Sequence, residues 1–348
     1  MKPATIDDVA RHAGVSKATV SAVLNHKDVV RPITRRSVLK AIKELHYRPR
    51  PSARNLKKAS ADKGNIVLLI RELDNPFYTS IVLGVMQYAS EKGYVVVVSS
   101  SEGDHALEEH ITHGFSHREV KGAVIAPVLE GSAEIEHLFR LKMINFPFVL
   151  LEDVSGIQAN VVSIDNSKAM HVAMKYLISN GHSKIVHFAG PDHSSHTHER
   201  IKGFKNAYME SALAFSDDLI IPTGAHLENG YKVCLEYFGR RDRGDYPTAI
   251  VCYNDLVALG VMSALNDMRI AVPETVSVVG NDDIPFAEHV PVKLTTIRAP
   301  MHELGRRAAE ILIRHIESPA PLPVENVVLD AALIIRESTR PLRLNLPD

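Results

Sequence analysis

Lys17, Ala18, Ser21 and Ala22 fall on one side of a short helical segment whose other side carries Val20, Val23 and Leu24. A lysine so placed can donate to guanine O6 or N7, and an alanine methyl can touch a thymine methyl. The face therefore has the chemistry of base-edge readout in a major groove. The neighbouring residues are those that would hold it there. Thr5 is a suitable N-cap, with Asp8 three residues on to answer the free amide donors. Ile6, Val9, Ala10 and Ala13 then repeat at helical spacing. Gly14 suits a sharp turn because no Cβ obstructs a positive φ, and Ser16 caps the second helix. A third amphipathic segment starts at Thr34 and buries Val38, Ala41, Ile42 and Leu45. Two short capped helices, a glycine turn and a supporting helix make a helix-turn-helix. A plain three-helix bundle with a solvated basic face is the alternative, disfavoured because turn, caps and charge agree.

Residues 1–60 carry 14 Lys/Arg against four Asp/Glu, a surplus of +10 in a chain whose net charge is −1, so the remainder sums to −11. Concentrated positive charge attracts phosphates and brings salt-dependent affinity without sequence choice. Beyond the third helix, Pro49 and Pro51 force an extended link. Ser52 can cap a short helix ending near Lys58, too short to be stable alone in water. It is expected to form only when DNA or a second copy covers Leu56; a disordered basic linker is the other reading.

A second set of chemistry-bearing residues follows strand-like runs in the body. Strand-like and helix-like segments alternate from residue 65: Gly64–Ile70, a helix across Tyr78 to Gly93, Tyr94–Val98, a helix near 105–118, and Gly122–Ala126. The rhythm restarts with Val161–Ile164, Lys184–Phe188, Ala249–Cys252 and Val276–Val279. Such alternation implies parallel sheets covered by helices on both faces, here two subdomains with a cleft between them. The return pass, Leu294–Ile297 and a helix near 301–317, is expected to cross back to the first subdomain. Ligands of open α/β sheets lie beyond the carboxyl ends of the strands. Reading those ends yields Asn75, Phe77 and Tyr78, then Tyr253, Asn254 and Asp255, then Asn281, Asp282 and Asp283. Arg200 begins a helix nearby. Planar Asp, Asn and Arg groups hold neighbouring hydroxyls, and aromatic faces cover the C–H side of a sugar ring. Plainer roles stay open: Asn254 and Asp255 as helix caps, Phe77 and Tyr78 as core, and Arg200 paired with a surface carboxylate.

The chain resembles the lactose-repressor (LacI/GalR) family of bacterial transcription regulators. The resemblance rests on Thr5-Ile6-Asp7-Asp8-Val9-Ala10, Ala13-Gly14-Val15-Ser16 and Thr19-Val20-Ser21, and it continues to about residue 340. It implies an N-terminal all-α helix-turn-helix head plus an α/β periplasmic-binding-protein-like core of two doubly wound subdomains joined by three crossovers. The expected boundaries are 1–49 for the head, 50–62 for the hinge helix and linker, 63–160 with 293–323 for the first subdomain, 161–292 with 324–341 for the second, and 342–348 for the tail. It implies DNA contacts from Thr5, Ser16, Lys17, Ala18, Thr19, Ser21, Ala22 and Asn25, and from Ser52, Ala53, Leu56 and Lys57 of the hinge. In the family a leucine pair wedges open the central step of the minor groove, and Leu56 occupies that place. It further implies effector contacts from Asn75, Phe77, Tyr78, His196, Arg200, Tyr253, Asn254 and Asp282. Two positions depart from the family pattern: Ala22, where many relatives carry arginine, and Asn281, where an aromatic residue is usual.

The expected function is sequence-specific regulation of transcription, most often repression, by a homodimer on a palindromic operator under control of a sugar-like effector. A phosphosugar or a purine or nucleoside effector is compatible with Arg200. A solute-binding protein would share the body but needs an export signal and has no use for a basic head; no leader-like run follows the N-terminus. Neither GxGxxG nor GxxxxGK[ST] follows a strand, and no nucleophile–base pair points to an enzyme. Cys234 and Cys252 read as reduced, buried thiols of a cytoplasmic protein. Zinc binding by His193, His196 and His198 lacks a fixed helical pair and a cysteine partner, so neither metal nor cofactor is expected. These histidines read instead as a polar pocket lip.

Overall fold

The computed structural model describes residues 5–24, 30–45, 63–117, 120–128 and 135–342, and the chain divides into two compact units, Met1–Asp62 and Lys63–Asp348. Asn25, Ser52, Ala53, Leu56 and Lys57, the side chain of Leu24 and the tail from 343 lie outside the described residues.

In the first unit, helices α1 (Ile6–Ala13), α2 (Lys17–Leu24) and α3 (Pro32–Glu44) enclose a small core of Val9, Ala10, Val20, Val23, Val38 and Ala41. The capping box at the start of α1 is complete: Asp8 N donates to Thr5 Oγ1 at 3.3 Å, and Thr5 N donates to Asp8 Oδ2 at 2.9 Å. Gly14 closes α1 at φ +65°, the left-handed conformation a Cβ would penalise. Ser16 Oγ accepts from Thr19 N at 3.1 Å and so starts α2. Helix α3 begins at Pro32 rather than at Thr34, because proline at a helix start lacks only an N–H that would go unpaired anyway. His12 Nε2 lies 2.8 Å from Glu44 Oε2 and ties α1 to α3.

The second unit runs β1 (Asn65–Ile70), α4 (Pro76–Glu91), β2 (Val95–Ser100), α5 (His105–His113), β3 (Val120–Ile125), α6 (Glu136–Met143), β4 (Phe148–Leu150), β5 (Asn160–Ile164), α7 (Asn166–Ser179) and β6 (Ile185–Ala189). It continues with α8 (Ser195–Met209), β7 (Ile220–Pro222), α9 (Leu227–Gly239), β8 (Ala249–Cys252), α10 (Asp255–Asp267), β9 (Ser277–Asp282), β10 (Thr295–Arg298), α11 (Met301–Glu317), β11 (Asn326–Leu329) and β12 (Ala332–Ile334). Two six-stranded sheets result, ordered β11-β5-β4-β3-β1-β2 and β12-β10-β9-β8-β6-β7. All pairings are parallel except β10 with β12. The near-continuous Val, Ile and Leu of β1 and the full burial of β8 and β9 go with sheets covered on both faces.

Three strands lie across the boundaries expected from the sequence. Strand β5, expected to open the second subdomain, pairs with β4 and β11 in the first sheet. Strand β10, expected with the first subdomain, pairs with β9 and β12 in the second. Strand β11, expected with the second, belongs to the first. The chain therefore crosses after β5, after β10 and after β11, one strand later each time than 160, 292 and 323. An apolar parallel strand reads alike in either sheet, and only its hydrogen-bonding partner assigns it. Helix α8 also begins at Ser195, which puts Arg200 in its second turn rather than at its start.

Each subdomain is seamed by a pair of helices in close contact. A Cβ on Gly84 of α4 would sit 2.1 Å from His302 O, and one on Gly305 of α11 would sit 2.2 Å from Ile81 O. Gly230 of α9 and Gly260 of α10 meet Val257 O and Leu227 O in the same reciprocal way, at 2.2 and 2.0 Å. Cys234 and Cys252 are buried free thiols, and burial raises both pKa values. Among the described residues no helix is long and apolar enough to cross a membrane.

Candidate functional site

In the head, Ser16, Lys17 and Ala18 are exposed, while Thr19, Ser21 and Ala22 are half-buried around Val20 and Val23. Thr19 Oγ1 lies 2.9 Å from Ser16 Oγ, and Lys17 Nζ sits 2.9 Å from Asp7 Oδ2. Both partners of the Lys17–Asp7 pair are more than half exposed, so the bond is weak and the lysine is available to another acceptor. Thr5 is occupied in its capping box.

In the body, a cavity of about 120 Å³ opens between the two subdomains. All eight residues expected there from the sequence line it: Asn75, Phe77, Tyr78, His196, Arg200, Tyr253, Asn254 and Asp282. The reason is topological. Tyr253 and Asn254 follow β8, Asp282 ends β9, Phe77 and Tyr78 open α4 after β1, and His196 and Arg200 ride on α8 after β6, so carboxyl ends of strands converge from both sheets.

Buried and paired, Arg200 anchors the second-subdomain wall. Its Nε donates to Asn166 Oδ1 at 3.1 Å, its Nη1 to the Tyr253 carbonyl, and its Nη2 lies 3.7 Å from Asp282 Oδ1. The guanidinium carbon also sits 4.6 Å from the centre of the Tyr253 ring. Gly190 makes room for that ring, since a Cβ there would come within 2.4 Å of it. Burial pushes Asp282 up to about 7 even though the Arg200 charge opposes the shift. Its backbone is held at φ +122°, with Asp283 at +61°, a strained turn of the kind found at binding sites. Asp255 supports the turn from below: it accepts from Thr296 Oγ1 at 2.5 Å and from Ile284 N at 2.9 Å.

Two of the plainer readings hold, the cap at Asn254 and the core place of Tyr78, and Asn75 proves to be a cap as well. Asn254 is the N-cap of α10, accepting from Val257 N and donating to Ala225 O, both at 2.8 Å. Asn75 caps α4 through Phe77 N at 3.1 Å and donates to Glu72 Oε2 at 3.2 Å. Both amides face the cavity with these bonds already made, and Asp255 is not the cap. Tyr78 belongs to the first-subdomain core and also lines the cavity; burial raises its pKa to about 12, so its hydroxyl stays protonated.

Sequence reasoning missed the groups that bridge the cleft. Arg71, just beyond β1, pairs with Glu152, just beyond β4. Glu152 Oε2 accepts from Ser195 Oγ of the opposite subdomain and lies 3.7 Å from His196 Nε2. Glu72 Oε1 lies 3.6 Å from His226 Nε2, again across the cleft. Asn166 holds Arg200 on one side and donates to Glu199 Oε2 at 2.8 Å on the other. Arg71 and Glu152 are among the first polar residues after their strands, a signal the sequence carries; β4 is only three residues long and was not recognised. His193 and His196 line the cavity, whereas His198 turns to Asp192 at 3.8 Å. Burial, reinforced by Arg71 and Arg200, drops the His196 pKa well below 6.5 and keeps the ring neutral.

Residues 5–50 match the bacterial regulatory proteins, lacI family, and residues 174–339 match the periplasmic binding protein-like domain. The HTH-type transcriptional repressor PurR of Vibrio vulnificus (strain CMCP6) is 32% identical over 316 residues, covering 90% of this chain and 92% of that protein. A transcriptional regulator CelR–cellobiose complex has a TM-score of 0.71 at 29% identity, covering 96% of this chain and 99% of the other. The lac repressor dimer bound to operator and the anti-inducer ONPF has a TM-score of 0.72 at 25% identity, covering 97% and 100%. A helix-turn-helix head, two parallel-sheet subdomains and these matches over nearly the whole chain lead to one assignment: the protein belongs to the lacI family and is a DNA-binding transcriptional repressor, not an enzyme.

Proposed function

We propose that this repressor binds a palindromic operator as a homodimer in the cytoplasm and is controlled by a small sugar or sugar derivative held in the cleft of the body. The observation that carries the reading is the convergence of Arg200, Asp282, Tyr253, Phe77 and Tyr78 on one cavity. Arg and Asp side by side offer donors and acceptors to adjacent hydroxyls, and the aromatic rings offer faces to C–H groups. The cellobiose in the CelR complex supports a sugar as the ligand class.

On the DNA side, Ser16, Lys17, Ala18, Thr19, Ser21, Ala22 and Asn25 serve the major groove, with Thr5 at the backbone. Ser52, Ala53, Leu56 and Lys57 serve the minor groove. With alanine at 18 and 22, base-specific donors are few on this helix, so shape and hinge readout carry a large share of specificity. Leu56→Ala then lowers discrimination between matched and mismatched operators more than Lys17→Ala does. An apolar groove of about 760 Å³ in the second subdomain, lined by Leu256, Leu259, Met262, Phe286 and Val290 among others, offers a face to a second copy. The lac repressor dimer on its operator supports a dimer as the DNA-bound form.

The test is operator binding by the full chain with and without a sugar panel. Arg200→Ala is expected to abolish the ligand response while leaving operator affinity within about threefold. Unchanged ligand control in that variant takes Arg200 out of the site.

A further inference from the structure

Resting on the reading of the cleft as an effector site, we propose that it takes an uncharged polyhydroxylated ligand and excludes the phosphorylated and carboxylate forms, with Glu152 as the residue that sets this selectivity. The argument is an accounting of charge and hydrogen bonds. Arg71 and Arg200 are the two arginines that line the cavity. Arg71 donates through Nε to Pro127 O at 2.7 Å and pairs through Nη2 with Glu152. Arg200 has Asn166 Oδ1, the Tyr253 carbonyl and Asp282 around its three nitrogens. Arg71 Nε and Nη2 and Arg200 Nε and Nη1 thus have acceptors inside the protein, while Arg200 Nη2 only neighbours Asp282.

Two carboxyl groups line the same cavity, Glu72 and Asp282, and Glu152 lines the smaller pocket that adjoins it at Arg71, His196 and Arg200. An anion entering there finds Arg71 already paired with Glu152 and Arg200 bound to Asn166 and the Tyr253 carbonyl. Asp282, raised by burial to about 7, adds a full opposing charge only above that pH, and His196 contributes no compensating charge because it is neutral. To pair with Arg71, a phosphate would have to expel Glu152, whose side chain is only 4% exposed, and leave that carboxylate buried without its cation. A hydroxyl faces no such conflict. Glu152 Oε2 already accepts one, from Ser195 Oγ across the cleft, and a ligand O–H can take its place like for like. An ionised phosphate or carboxylate has no comparable donor for a carboxylate that only accepts. Discrimination built on an opposing charge is the ordinary way a site rejects a near relative of its ligand.

Calorimetric titration of the full-length protein with matched pairs provides the test: ribose and ribose 5-phosphate, glucose with glucose 6-phosphate and gluconate, cellobiose and cellobionate. In every pair that binds, the neutral member is expected to bind at least about tenfold more tightly. Glu152→Gln leaves Arg71 without its counter-charge and is expected to shrink that ratio severalfold. A phosphorylated or carboxylate member that equals or beats its neutral partner on the unmodified protein overturns the proposal while leaving the cleft an effector site. An unchanged ratio in a folded Glu152→Gln variant removes Glu152 from the role. Failure of every compound to bind counts against the effector reading itself, and the charge rule falls with it.

Discussion

Charge is used in opposite ways in the head and in the cleft of the body. In the head it is abundant, mostly positive and, among the described residues, largely exposed: even the Lys17–Asp7 pair leaves both side chains more than half in solvent. In the cleft it is sparse, balanced and buried, with Arg200 and Glu152 each about 5% exposed or less. Exposed charge acts at a distance and is screened by salt, so it collects a polyanion without choosing its sequence. Buried charge acts only on what touches it, and every unpaired partner is costly. The first arrangement suits attraction, the second discrimination.

Four measurements would break or sharpen that contrast. The largest effect is expected from salt. Operator affinity should fall by about a thousandfold or more between 50 and 200 mM salt, while sugar affinity in the cleft moves less than about twofold. Equal salt slopes for the two ligands would contradict the division of labour.

Next comes removal of a buried partner. Arg200→Ala is expected to lower the stability of the body by about 3 kcal/mol in denaturant titrations, because Asn166 and the Tyr253 carbonyl lose their donor and Asp282 loses its neighbouring cation. Combining it with Asp282→Asn should cost less than the sum of the two single changes. Strict additivity would mean that the two residues do not act on one another.

The third effect is pH-dependent. Asp282 has its pKa raised from 3.8 to about 7, so it retains a proton in the folded state that the unfolded chain has already lost. Its contribution is a loss of stability as pH rises through that window. Burial acts oppositely on His187, lowered from 6.5 to about 4, whose neutral form makes stability rise with pH between those values. Comparing Asp282→Asn with the unmodified protein cancels the histidine: the variant should gain relative stability steadily from pH 4 to 7. Parallel profiles would show that Asp282 titrates as an ordinary carboxyl.

The smallest effect belongs to the head. Thr5→Ala breaks the capping box and is expected to cost about 1 kcal/mol, seen as faster amide exchange in α1 with the body's melting unchanged.

What could be read from the chain alone follows the range of the forces involved. The cap at Thr5, the turn at Gly14 and the start of α2 at Ser16 are set by residues within a few positions of one another, and each is found where the residue types place it. Six of the eight cleft residues were legible because strand ends are legible and the α/β architecture sends those ends to one place, and the family resemblance added His196 and Arg200. Arg71 and Glu152 were not, since their meaning lies in a pairing over some eighty positions, and the strand before Glu152 is too short to announce itself. The role of Asn254 was ambiguous in sequence for a related reason: a cap and a ligand contact call for the same amide, and only the occupied hydrogen bonds distinguish them.

By itself the sequence determined that there is a basic helical head, a body of alternating strands and helices, and a polar, aromatic set at the strand ends, because periodicity, capping and charge are local. Only the tertiary structure decided which sheet β5, β10 and β11 join, and that Glu152 spans the cleft to Ser195. Hydrogen-bond partners far apart in the chain are chosen by packing, and no short run of residues records that choice.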